Sequence, residues 1–158
     1  MKYQVNYEDL CSQMQALTEN CPYEIANAAN GAALIFQTVP GLNWAGFYIL
    51  EENALILGPF QGKPACIQIP MGKGVCGTAA ETGKPQRVEN VHAFPGHIAC
   101  DSDSLSELVI PIFKNGSLWG VLDLDSPEEN RFSPEDQQGM EQVCRAFSQS
   151  MATEKNKK

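Results

Sequence analysis

The sequence is short of positive charge and of histidine. Eleven Lys and Arg stand against nineteen Asp and Glu, with two His, for a formal charge of −8. A chain of that sign repels phosphate backbones and anionic bilayers, which argues against nucleic acid and membrane as partners. No apolar run approaches the roughly 18 residues that span a bilayer, and the opening MKYQVNYEDL lacks the apolar segment of a secretory signal. The expected location is cytoplasmic, where thiols stay reduced, so the six cysteines are six thiols by default. Their spacings contain no C-x₂₋₄-C pair, which argues against a structural zinc site.

What is present is an ordinary globular composition, 43% hydrophobic over 158 residues, enough for one core. Residues 1–158 are expected to form a single domain, with 152–158, ending in the basic EKNKK, as a flexible tail. Tyr7, Leu10, Cys11, Met14 and Leu17 at helical spacing predict a first helix, and the alanine-rich stretch from Glu24 to Gln37 a second. From Asn43 the pattern changes to period two in NWAGFYIL, and EENA turns into LILGPF, a hairpin. Residues 61 to 106 read as loops and short elements. ELVIPIF and LWGVLDLD then flank KNGS, whose Asn-Gly predicts a second hairpin. Ser133-Pro134 offers an N-cap followed by proline at the first helical position, and Met140, Val143, Cys144, Phe147 and Met151 give the last helix an apolar stripe. Hairpins between terminal helices predict an α+β fold, a central antiparallel sheet with N- and C-terminal helices packed on it.

The cysteines divide into two sets. Cys11 and Cys144 lie on predicted helical stripes and Cys21 precedes a proline at a helix junction, which reads as structural packing. Cys66 in GKPACIQIP, Cys76 in GKGVCGTAA and Cys100 in HIACDSDSLSELVIP fall in polar surroundings that a packing cysteine avoids. A mononuclear metal site drawing on His92, His97 and a cysteine is one open alternative. Gly72-x-Gly74-x-x-Gly77 formally matches a dinucleotide fingerprint, but Pro70 ends the preceding strand and Gly83-Lys84-Pro85 stops the helix after about two turns. What survives is a helix start whose free N–H groups suit a carboxylate and would lower the pKa of Cys76.

LGPFQGKPAC, GKGVCGTAA, VHAFPGHIACDSDSLSE and GVLDLDS, in this order and with these cysteine spacings, resemble the free methionine-(R)-sulfoxide reductases. These are enzymes built on a single GAF domain, and the resemblance covers most of residues 44–133. It implies reduction of the R-sulfoxide of the free amino acid by a thiol, with no metal or organic cofactor. Motif by motif, it implies Cys100 as the nucleophile, Cys66 as its main resolving partner through a 66–100 disulfide, and Cys76 as a third active-site thiol that can also resolve. Glu107, Asp123 and Asp125 match the positions that handle protons and substrate. Trp44 and Tyr48 match the aromatic pocket wall, and Gly74 and Val75 at the helix start are the expected binding residues for the substrate carboxylate. An external dithiol such as thioredoxin is the implied partner. A homodimer is left open.

The chemistry agrees with these residue types. A thiolate attacking a sulfoxide sulfur needs an acid to protonate the departing oxygen, and a carboxyl serves only if burial or a second carboxylate keeps it protonated near pH 7. Asp123 and Asp125, two apart on a strand, project from one face, while Leu122 and Leu124 point into the core. Whether Glu107 joins them depends on hairpin register. A two-residue Asn115-Gly116 turn would set it opposite Leu124, on the wrong face. A three-residue Lys114-Asn115-Gly116 loop, with Gly116 left-handed, would set it opposite Asp123, and we expect the second. Trp44, Gly46 and Tyr48 alternate onto one face, and the glycine is expected to leave a notch for the methyl-sulfoxide end. The competing readings are a non-catalytic GAF module that binds or senses a small molecule, and the metal-binding protein raised above.

Overall fold

The computed structural model describes residues 3–97 and 103–155, the last four by backbone alone. Two helices open it, α1 (Tyr7–Thr18) and α2 (Glu24–Thr38). Asn6 caps α1, its side chain accepting from the Asp9 N–H at 3.0 Å. Leu10 and Met14 are buried as the spacing predicts, but Leu17 is 41% exposed and the inward position is taken by Thr18. The Thr18 hydroxyl is satisfied by the Met14 carbonyl at 2.9 Å.

Six strands follow, β1 (Trp44–Glu51), β2 (Ala54–Gly62), β3 (Gln68–Pro70), β4 (Gln86–Val88), β5 (Ser106–Lys114) and β6 (Ser117–Ser126). They form one antiparallel sheet in the order β3-β2-β1-β6-β5-β4. Helix α3 (Gly74–Thr82) lies between β3 and β4 in the chain, and α4 (Pro134–Lys155) closes it. The start of α4 is fixed reciprocally: Ser133 Oγ accepts from the Asp136 N–H at 3.1 Å and Asp136 Oδ2 from the Ser133 N–H at 2.9 Å. The helix continues to Lys155, past the point where the sequence predicts a tail. Among the described residues no helix is long and apolar enough to cross a membrane.

Period-two alternation gives the sheet two different faces. Ala45, Phe47, Leu108, Ile110, Leu122 and Leu124 pack with α1, α2 and α4 in one core. Trp44, Tyr48, Val109 and Val121 turn to the other side, where α3 covers them with Val75, Cys76 and Ala79. The architecture is therefore the expected α+β sheet with terminal helices on one face, plus a short helix over the other.

The β5–β6 register departs from expectation. The turn is the two-residue Asn115-Gly116, both at positive φ (52° and 83°), with Lys114 opposite Ser117. A β-bulge then shifts the pairing between Ile112 and Phe113, so Ile112 faces Gly120 and Glu107 faces Asp125, neither Asp123 nor Leu124. The bulge restores the parity that the expected three-residue loop would have supplied. It also turns Trp119 to the helix side, where its ring packs on Phe47 and Phe147 and its indole N–H donates to Glu24 at 3.1 Å.

Candidate active site

Strands β5 and β6 carry the acids. Glu107 lies opposite Asp125, Asp123 opposite Val109, and all three carboxyls project from the α3 face. On β1, Trp44 pairs with Asp125 and Gly46 with Asp123, which brings the aromatic wall alongside. The cavity between sheet and α3 is lined by Trp44, Tyr48, Glu107, Asp123 and Asp125, with Gly74, Val75 and Cys76 from the helix. His97, Ser104, Pro64 and Ala65 also line it; the sequence raised His97 only as a candidate metal ligand and assigned no role to the other three. His97 stands three residues before Cys100, the one local signal that could have marked it.

The glycines around α3 are explained by packing. Gly74 begins the helix at φ 66°, and a Cβ on Gly77 would lie 2.5 Å from the Pro70 carbonyl oxygen, so that position must be bare. The tight approach drives Cys76 inward until it is 3% exposed, its thiol directed at Glu107 Oε2 at 3.9 Å.

This burial reverses one expectation. Desolvation first, and then the Asp123, Glu107 and Asp125 carboxyls, push the Cys76 thiol well above its ordinary value. Glu107, 7% exposed, is held well above the carboxylate range by burial and by the Asp123 and Asp125 charges. Burial also raises Asp123, while hydrogen bonds from Glu107 and Cys76 oppose the rise. Burial thus favours the protonated form at both Glu107 and Asp123, most strongly at Glu107, where the neighbouring aspartate charges add to it. Asp123 Oδ1 is buried without a hydrogen-bond partner, a position that a ligand's donor would satisfy.

The aromatic wall is more closed than expected. Phe60 of β2 stacks on Trp44 at 5.1 Å, and a Cβ on Gly46 would lie 2.3 Å from Phe60 Cβ. The bare Gly46 position admits these neighbouring side chains, so no notch is left for substrate. Trp44 and Tyr48 instead tie down the loop after β2. The Trp44 indole donates to the Lys63 carbonyl at 3.0 Å, and the Tyr48 hydroxyl to the Cys66 carbonyl at 2.9 Å. Burial pushes the Tyr48 pKa up, so the hydroxyl remains a donor.

Cys11, Cys21, Cys76 and Cys144 are free thiols, whereas Cys66 is disulfide-bonded. Cys11 and Cys144 pack with the helix-side core, as their stripes predict. Cys100 lies outside the described residues. Among the described residues, the donor side chains within reach of one ion are Cys76, Glu107 and Asp123, not the His92 and His97 that the sequence suggested.

Residues 14–151 match the GAF domain family. The chain is 47% identical to the free methionine-R-sulfoxide reductase of Escherichia coli (strain K12) over 152 residues, covering 96% of this chain and 92% of that protein. It is 50% identical over 149 residues to protein YtsP of Bacillus subtilis (strain 168), covering 93% and 91% of the two chains. The fRMsr of Staphylococcus aureus solved in complex with substrate superposes with a TM-score of 0.91 at 46% identity, over 95% of this chain and 98% of that one.

Proposed function

The chain belongs to the GAF domain family and, within it, to the free methionine-R-sulfoxide reductases, and on that premise we propose that it reduces free methionine-R-sulfoxide to methionine with thiols as the electron source. The observation that carries the reading is the Glu107 carboxyl, buried on the α3 face opposite Asp125 and 3.9 Å from the Cys76 thiol, where burial and the neighbouring aspartates raise its pKa. A protonated carboxyl at neutral pH is the acid that sulfoxide reduction requires.

In this reading the whole chain acts as one domain in a reducing cytoplasm. Asp123, through its unpartnered Oδ1, and Asp125 hold the substrate ammonium. The first N–H groups of α3, those of Gly74 and Val75, have no acceptor within the helix and face the same cavity, which suits the substrate carboxylate. Trp44 and Tyr48 wall the thioether end. The Cys100 thiolate attacks the sulfoxide sulfur while Glu107 protonates the oxygen, methionine leaves, and Cys100 is left as a sulfenic acid. Cys66 condenses with it, losing water and forming a 66–100 disulfide, and the disulfide-bonded state of Cys66 supports that assignment. Cys76 is the reserve thiol, and its raised pKa favours Cys66 as the faster partner. An external dithiol such as thioredoxin, near −270 mV, returns both thiols.

The test is turnover with dithiothreitol, counting methionine from the free R-sulfoxide, the free S-sulfoxide and a peptide-bound sulfoxide. The R form should turn over. The S form should fail for want of a reachable sulfur, and the peptide form because amide linkage removes the charges that the aspartates and α3 recognise. Equal rates on the free and peptide-bound forms would overturn the assignment.

A further inference from the structure

We propose that Cys76, Glu107 and Asp123 also hold a thiophilic divalent cation of the Zn²⁺ kind, and that this cation and the amino-acid substrate exclude one another. One donor atom from each residue lies within 4.8 Å of the other two. All three residues are buried, at 3%, 7% and 6% exposure. Asp123 Oδ1 has no partner, so the cluster contains a buried acceptor with spare capacity in addition to acidity. Bonds of about 2.0 to 2.3 Å around a tetrahedral Zn²⁺ place neighbouring donors roughly 3.5 Å apart, so side-chain rotations alone can close the set.

The donor types choose the metal. One sulfur and two carboxylate oxygens suit zinc, with a fourth position left for water, whereas Mg²⁺ and Ca²⁺ require six or more oxygens. On binding, a metal–sulfur bond forms and the thiol and carboxyl protons pass to solvent, with no change of oxidation state. Mutual exclusion rests on the proposed function, because the substrate ammonium is assigned to the same Asp123 oxygen.

The probe is Co²⁺ added to the reduced, metal-free full-length chain, with the thiolate-to-metal absorption band as readout. The band should appear in the wild type and in Cys66→Ser, vanish in Cys76→Ser, require about tenfold or more Co²⁺ in Asp123→Asn, and be bleached by Zn²⁺ but not Mg²⁺. Excess methionine, which carries the ammonium but cannot oxidise the thiols, should displace the metal. Melting curves report whether the two site variants are folded, and Asp123→Asn decides the matter if Cys76→Ser is not. Absence of the band, or its persistence in Cys76→Ser, overturns the site, and a band that methionine leaves intact overturns the exclusion. Turnover by the metal-free chain is scored separately, so a failed reductase assay beside a positive band removes the enzymatic reading and leaves the cation site.

Discussion

Alternate residues of the same three strands have opposite physical roles. On the helix face, Ala45, Phe47, Leu108, Ile110, Leu122 and Leu124 are at most 2% exposed, and each large apolar side chain buried there contributes about 1.5–3 kcal/mol. On the α3 face, one residue along the chain, stand Trp44, Tyr48, Glu107, Asp123 and Asp125. Burying a carboxyl costs stability unless it keeps its proton or gains a partner, so this face spends part of what the other contributes. Strands therefore carry both a fold-holding row and a reactive row, and substitutions one position apart should differ in kind.

Glu107→Gln should give the largest effect. The proposed acid is removed while shape and burial remain, so kcat/KM for the free sulfoxide should fall by about 10²–10⁴. The denaturation midpoint at neutral pH should be unchanged or higher. A variant that loses stability along with activity would erase the distinction between the faces.

The mirror experiment is Leu124→Ala, one residue from Asp123 and Asp125 but on the helix face. It should lose about 2–5 kcal/mol of stability through the cavity it leaves. Activity per folded molecule should stay near that of the parent, measured below the melting transition.

The smallest effect is a pH dependence that sharpens the comparison. Glu107 and Asp123 are raised above their unfolded values, so the folded chain retains protons that the unfolded chain has released. Their contribution is intact below the unfolded carboxylate range, about pH 4, and declines as pH rises towards the folded values. Relative to Glu107→Gln, the parent should lose stability between about pH 5 and pH 8, and the two should converge in acid. A constant offset across that range, read from urea midpoints, would contradict the protonation state assigned to Glu107.

Local rules carried much of this into view. Asp123 and Asp125 share a face because strand geometry has period two, and Asn115-Gly116 marks the hairpin, although its turn is the two-residue form and not the three-residue loop expected. Neither the loop length nor the register was legible, because the bulge that brings Glu107 to Asp125 goes together with Trp119 packing on Phe47 and Phe147, contacts far apart in sequence. The same limit applies to Gly46. Bareness can be read from one letter, but that Phe60 closes the space follows only from the pairing of β1 with β2. Cys76 shows the third kind of miss: a helix start predicts a lowered thiol pKa, and close packing against β3 buries the group enough to reverse the sign.

The central claim is that the acid-and-thiol face converts methionine-R-sulfoxide to methionine through one attacking sulfur. Its most direct test is the methionine released in a single turnover by pre-reduced chains freed of external reductant. Cys66→Ser should release about one methionine per chain and Cys100→Ser none, since attack precedes resolution. Equal yields from the two variants would contradict the account.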